Sequence, residues 1–160
     1  MTGDTKMRDV EHIIVHCAAT KADQYVDAAV IRDWHVNKNG WSDIGYHYVI
    51  RRDGVLELGR PIEQAGAHVK GFNYNSVGVC LAGGLDENGK AQDNFTIQQM
   101  DTLFYLVVTL TKLFPKADVK GHRDYSPDVN HDGQITPDEW MKECPCFDVN
   151  LWWQAVFKTM

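Results

Sequence analysis

The sequence predicts one α/β domain spanning residues 1–160, with a central mixed β-sheet of about five to six strands flanked by helices on both sides. Three observations carry this reading. Short β-branched apolar runs alternate with stretches of helical periodicity along the chain. A length of 160 residues suits a single domain able to bury its own core. No repeat, linker or low-complexity stretch divides it.

His12 to Ala18 (HIIVHCA) reads as a buried strand. From Asp27 to Asn37, Ala28, Ile31, Trp34 and His35 fall at helical spacing, with Asp27 as N-cap and Gly40 as the stop. Tyr46 to Arg52 and Val55 to Gly59 flank Asp53-Gly54, a two-residue hairpin signal. Val77 to Ala82 is a further buried strand ended by Gly83-Gly84, and Asp86 to Lys90 is a turn. A helix is predicted from Thr96 to about Phe114, capped by Thr96 and terminated by Pro115. Ala117 to Lys120 is a brief strand. The tail from Asp148 to Lys158 is a helix with Val149, Trp152, Trp153 and Val156 on its apolar side.

Composition narrows the function classes. The net charge is -6 and the basic residues are scattered, which argues against nucleic acid as a partner. No apolar run approaches the ~18 residues of a membrane span, so no membrane insertion is expected. The N-terminal stretch lacks a charged-then-apolar leader. Synthesis in the cytoplasm without a signal peptide is therefore the expectation, and a monomer is expected. Cys17 and Cys80 sit in apolar runs as core thiols. Cys144 and Cys146 are too close for an easy mutual bridge, so metal or catalytic use is favoured over a disulfide framework.

The chemistry concentrates between Gly121 and Val149. Asp128-Val129-Asn130-His131-Asp132-Gly133-Gln134-Ile135-Thr136-Pro137-Asp138-Glu139 matches a twelve-residue calcium loop. Asp128, Asn130 and Asp132 offer side-chain oxygens, Gly133 permits the sharp turn, Gln134 supplies the seventh position, and Glu139 closes the shell. His131 falls at a non-liganding position. The preceding GHRDYSP is a poor helix, so the expectation is an isolated, structural Ca2+ loop. Polar turn residues without an ion are the plainer alternative.

A zinc site has no local signature here, since neither HExxH nor paired CxxC occurs. Ligands must converge from distant segments. His16 near a strand end, His122 just after another strand, and Cys144 in the last loop form one such set. Two histidines, one thiolate and an open position make a known catalytic zinc arrangement. Spacing alone does not select these three from seven histidines and four cysteines.

Several stretches resemble the type-2 N-acetylmuramoyl-L-alanine amidases, the zinc amidase family of phage endolysins and peptidoglycan-recognition proteins. They are VHCAAT from Val15, WSDIGYHY from Trp41, Arg52-Asp53-Gly54, AHVKG from Ala67, NSVGVCLAGG from Asn75, GHRD from Gly121 and KECPCFD from Lys142. They follow family order over nearly the whole chain. The resemblance implies that Zn2+ is held by His16, His122 and Cys144, that Tyr46 and Lys142 are catalytic, and that His68 lines the substrate groove. It implies hydrolysis of the amide between N-acetylmuramic acid and L-alanine in peptidoglycan, with access to the wall after release by a holin or by lysis. A non-catalytic peptidoglycan-binding module is the rival, although relatives of that kind lose the cysteine ligand. Two departures stand out: an insertion at about 126–141 carrying the calcium loop, and Cys146 where the family has a small residue. Motif position favours Cys144 over Cys146 as ligand.

General chemistry agrees with these roles. Zinc polarises a carbonyl and acidifies bound water. Lys142, two residues before a ligand, suits stabilisation of an oxyanion, and Tyr46 suits orienting or relaying a proton. His47 is predicted to point opposite Tyr46 on a strand and is read, like His12 and His35, as structural.

Overall fold

In the computed structural model, which describes residues 7–158, two fully parallel strands form the spine. They are β1 (His12–Cys17) and β5 (Ser76–Leu81). Their residues are buried almost without exception. This is why both read as continuous apolar runs rather than alternating ones: each face of a central parallel strand is covered. β3 (Tyr48–Ile50) and β4 (Leu56–Leu58) extend the sheet on the β5 side, and β7 (Asp118–Gly121) closes it beyond β1. The order is β4-β3-β5-β1-β7, with only the β3–β4 pair antiparallel. A second sheet, unsignalled by sequence, pairs β2 (Thr20–Lys21) with β6 (Gly84–Leu85).

The two faces carry separate cores. Ile13, Val15, Ile50, Val77, Val79 and Leu81 pack with Leu103, Leu106, Val107 and Leu110 of α2 (Ile97–Leu113) and with Val149 of α3 (Val149–Phe157). On the other face, Val49, Cys80 and Ala82 meet Val26, Ile44, and Ala28 and Ile31 of α1 (Ala28–Asp33). The sheet is thus mixed and covered on both sides by helices, as expected.

Helix ends follow the sequence signals. Asp27 Oδ1 accepts from Val30 N at 2.8 Å, starting α1. The helix then widens into a π-turn over Trp34–Lys38 before Gly40, which has φ +74°. Thr96 and Gln99 form a reciprocal capping box at α2, each side chain bonding the other's backbone N–H at 3.0 Å. Gln99 is fully buried, and its amide also donates to Ile50 O and Ala82 O, tying the helix start to the sheet.

The hairpin differs from expectation. Arg51 N donates to Val55 O and Gly54 N to Arg51 O, so the connection is a three-residue loop with Gly54 at φ +85°. A turn followed by a left-handed glycine is the next commonest hairpin geometry, and Asp-Gly serves it equally well. The strands are correspondingly shorter than the predicted Tyr46–Arg52 and Val55–Gly59.

Candidate metal centre

The sheet register builds the site. β1 and β7 run side by side with Val15 opposite Gly121, so the next residues, His16 still paired with β5 and His122 just past the end of β7, come side by side. Their ring centroids are 4.7 Å apart. The last loop folds over them: Arg123 N donates to Cys144 O at 2.9 Å, and Cys17 N donates to Cys144 Sγ at 3.1 Å. One donor atom from each of His16, His122 and Cys144 lies within 4.8 Å of the others.

The electrostatics suit metal binding. Burial, then the neighbouring His68, His122 and Lys142, drives the His16 pKa well below its ordinary value. Burial and then Lys142 lower that of His122 to about 4. Both imidazoles are therefore neutral at neutral pH and can donate a lone pair. The Cys17 N–H points at Cys144 Sγ, which faces the two rings as the sulfur donor of the group. Two neutral imidazoles and a thiolate are a nitrogen–sulfur donor set that fits zinc. The other thiols are placed differently. Cys17 is pushed up to about 12, first by its hydrogen bond with Cys144, and Cys146 donates to Gly84 O at 3.4 Å, away from the histidines.

Tyr46 packs its ring 5.0 Å from that of His16. Burial, followed by the thiols of Cys80, Cys144 and Cys17, raises its pKa well above the ordinary value, so the phenol keeps its proton. Lys142 is exposed and lines a cavity of about 230 Å³ with His122, Arg123, Tyr125, Val69 and Lys70. His68 stands behind His16, with His16 Nε2 and His68 Nδ1 2.8 Å apart. The rings of Tyr46 and His47 lie 6.5 and 5.9 Å from that of His68. Strand-like hydrogen bonds continue back past Tyr48, with His47 N donating to Gly78 O, Gly59 N to His47 O and Arg60 N to Tyr46 O. The His47 ring is held by backbone groups, as is His35, whose Nδ1 accepts from Gly45 N, while His12 pairs with Asp118.

The acidic loop lies beside this centre. Carboxylate oxygens of Asp128, Asp132 and Glu139 come within 4.8 Å of one another. Asp128 accepts from Asp132 N and Gly133 N, and Asn130 Oδ1 accepts from Asp132 N. Gly133 has φ +82°, the left-handed turn its position requires. Gln134 is exposed, its N–H donating to Asp132 Oδ1. Glu139 is buried, its carboxylate accepting from Val129 N, Asn130 N and Thr136 N. The following Trp140 carries the Arg123 guanidinium 3.9 Å above its ring, linking loop to site.

Two supporting groups carried no sequence signal. Cys17 acts through its backbone N–H, invisible in residue type, and Ser76 hydrogen-bonds His68 from a strand start where a small polar residue would pass as filler.

Comparison with known proteins finds relatives both in sequence and in structure. The family profile described as N-acetylmuramoyl-L-alanine amidase matches residues 6–146. Endolysin of Enterobacteria phage T3 is 44% identical over 144 residues, covering 90% of this chain and 85% of the relative. Endolysin of Escherichia phage T7 is 44% identical over 142 residues, covering 89% and 84%. Among solved structures, N-acetylmuramoyl-L-alanine amidase LysC from Clostridium intestinale URNW superposes with a TM-score of 0.72 at 26% identity, covering 94% of this chain and 87% of that one.

Proposed function

Because this chain belongs to the N-acetylmuramoyl-L-alanine amidase family and is an enzyme that hydrolyses that amide in peptidoglycan, we propose that it does so with a zinc ion held by His16, His122 and Cys144. The observation that carries the zinc reading is the convergence of these three donors from β1, the turn after β7 and the last loop. Bound there, zinc supplies a Lewis acid that polarises the scissile carbonyl and acidifies water.

The chain's own residues do the rest. The neutral rings of His16 and His122 and the Cys144 thiolate leave the ion with net positive charge. Tyr46, protonated and half-buried against His16, is a hydrogen-bond donor that holds its proton at Oη while orienting the reacting groups. Lys142, on the cavity wall beside His122, brings positive charge to the oxygen that becomes anionic as the amide is attacked.

The acidic loop is read as a structural calcium site, with Asp128, Asn130, Asp132 and Glu139 offering side-chain oxygens and Gln134 its backbone carbonyl. The close approach of its three carboxylates supports this. Residues 1–160 are read as one monomeric amidase domain with 126–141 as an insertion. The likeness to phage endolysins supports delivery to the wall by holin- or lysis-dependent release.

The test is hydrolysis of purified cell wall, read as new free amino termini. Chelation should abolish it and zinc restore it, and Cys144→Ser should lower the rate at least roughly a hundredfold, since a zinc ligand is lost. Full activity in a chelated, zinc-free sample would overturn the metal assignment.

A further inference from the structure

We propose that His68 is a positioning residue for the metal centre: it fixes the tautomer and orientation of His16, and Ser76 fixes His68 in turn. This rests on the reading of His16 as a ligand. His68 Nδ1 lies 2.8 Å from His16 Nε2, and His68 Nε2 lies 3.1 Å from Ser76 Oγ. Both ring nitrogens of His68 are thus engaged inside the protein. The ring is only partly buried, so this role is compatible with its lining the substrate groove, as the family resemblance implies.

The relay has two possible proton arrangements. In one, His16 Nε2–H donates to His68 Nδ1 and His68 Nε2–H donates to Ser76 Oγ. In the other, the Ser76 hydroxyl donates to His68 Nε2, and His68 Nδ1–H donates to His16 Nε2. The second forces the proton of neutral His16 onto Nδ1, leaving no lone pair there. Only the first leaves Nδ1 of His16 able to coordinate a metal while the other nitrogen is held. In that first arrangement the chain Ser76–His68–His16 does what a carboxylate or carbonyl does behind other metal-bound histidines: it accepts from the non-coordinating nitrogen and sets how the ring faces.

The fold builds a slot for this purpose. A Cβ on Gly78 would lie 2.7 Å from His68 Cγ, and one on Gly66 would lie 2.8 Å from His68 Cδ2. Two glycines thus make room for the ring. Asn73 Oδ1 accepts from both His68 N and Val69 N, at 2.8 and 2.9 Å, fixing the backbone that carries it. Ser76 is fully buried in β5, next to β1, so the end of the relay cannot drift. The His16 and His68 rings meet edge to face, at 83°.

The experiment compares His68→Asn, whose Oδ1 can stand where Nδ1 does, with His68→Leu, which fills the slot without an acceptor. Zinc affinity is measured by competition with a chelator, and the His16 tautomer by nitrogen-15 NMR of the zinc-free protein. His68→Leu should bind zinc ten- to a hundredfold more weakly, the range for lost partners of metal-bound histidines, and His16 should lose its single tautomer. His68→Asn should recover most of the affinity. Ser76→Ala, a milder change, should weaken binding in the same direction by roughly three- to tenfold, and it carries the test should His68→Leu fail to fold. Equal zinc affinity in wild type, His68→Leu and Ser76→Ala, or a rise in KM alone, would overturn the positioning role. Wild-type protein that takes up no zinc would instead overturn the ligand reading on which it rests.

Discussion

His47 is held in one protonation state by two backbone groups, with the Arg8 guanidinium 3.4 Å from its Nε2. Its Nδ1 accepts from Gly78 N at 3.0 Å and its Nε2 lies 2.8 Å from Gln64 O, so the neutral ring donates at one end and accepts at the other. A second proton would sit on Nδ1 facing an N–H. Burial comes first among the causes that lower its pKa from 6.5 to about 4. The unfolded chain therefore takes up this proton before the folded one does. The stabilising contribution is complete above pH 6.5 and fades as pH falls from there towards about 4. Between pH 7 and 5 this amounts to about 2 kcal/mol for this one group. His68, lowered to about 3, adds to the same trend. Urea unfolding of zinc-free protein at the two pH values measures it, and His47→Asn should flatten the difference by about that amount; an unchanged difference would refute the assignment. Residue roles of this kind were only half legible in the sequence. His16, His122 and Cys144, which the structure brings together, were singled out through family motifs, because donors from three distant segments leave no spacing signature. The relay from His16 to Ser76 left none at all, since it depends on ring orientation.

At the scale of elements, local chemistry was far more readable. Asp27, Thr96 and Asp148 cap α1, α2 and α3, each accepting from an N–H three residues on. The strands β1 and β5 showed as apolar runs because both their faces are covered. What escaped was β2 with β6, two residues each, too short for any periodicity. The acidic loop is the element with most left to test. Glu139 bonds Val129, Asn130 and Thr136 at once, so it already cross-links the loop, and Trp140 beside it carries Arg123. Calcium should tighten that same closure. Saturating the loop at a hundred times its dissociation constant should stabilise the protein by about 2.7 kcal/mol. Glu139→Gln, which removes the bidentate ligand, should abolish the response in a calcium titration of melting temperature. It should also weaken zinc retention, because Lys142 and Cys144 follow within five residues. A melting temperature indifferent to calcium, with no calcium found by elemental analysis, would count decisively against the loop as a cation site.

For the whole molecule, the proposed zinc donors sit where three pieces of chain meet: the end of β1, the turn after β7 and the loop leading into α3. β1 and β7 are already hydrogen-bonded to each other, so an ion shared by His16 and His122 adds little new connection between them. The loop is different. Its ties to the sheet are Arg123 N to Cys144 O, Cys17 N to Cys144 Sγ, and Cys146 to Gly84 O, while α3 packs through Val149, Trp152 and Trp153 on the opposite face. A zinc ion held there would thus act mainly as a clasp for the C-terminal part of the chain. Loaded at a thousand times its dissociation constant it should stabilise the fold by about 4 kcal/mol. For a domain of this size that corresponds to a rise in melting temperature of roughly 8–16 °C. Cys144→Ser should remove this increment while leaving the calcium response in place, because the acidic loop contributes none of the three zinc donors. Hydrogen exchange should locate the effect: in zinc-free protein, amides between 142 and 157 should lose protection before those of β1 and β5, whose strands bury both faces in the core. Uniform loss of protection across sheet and tail would mean that the ion supports the sheet itself and that the clasp is wrongly drawn.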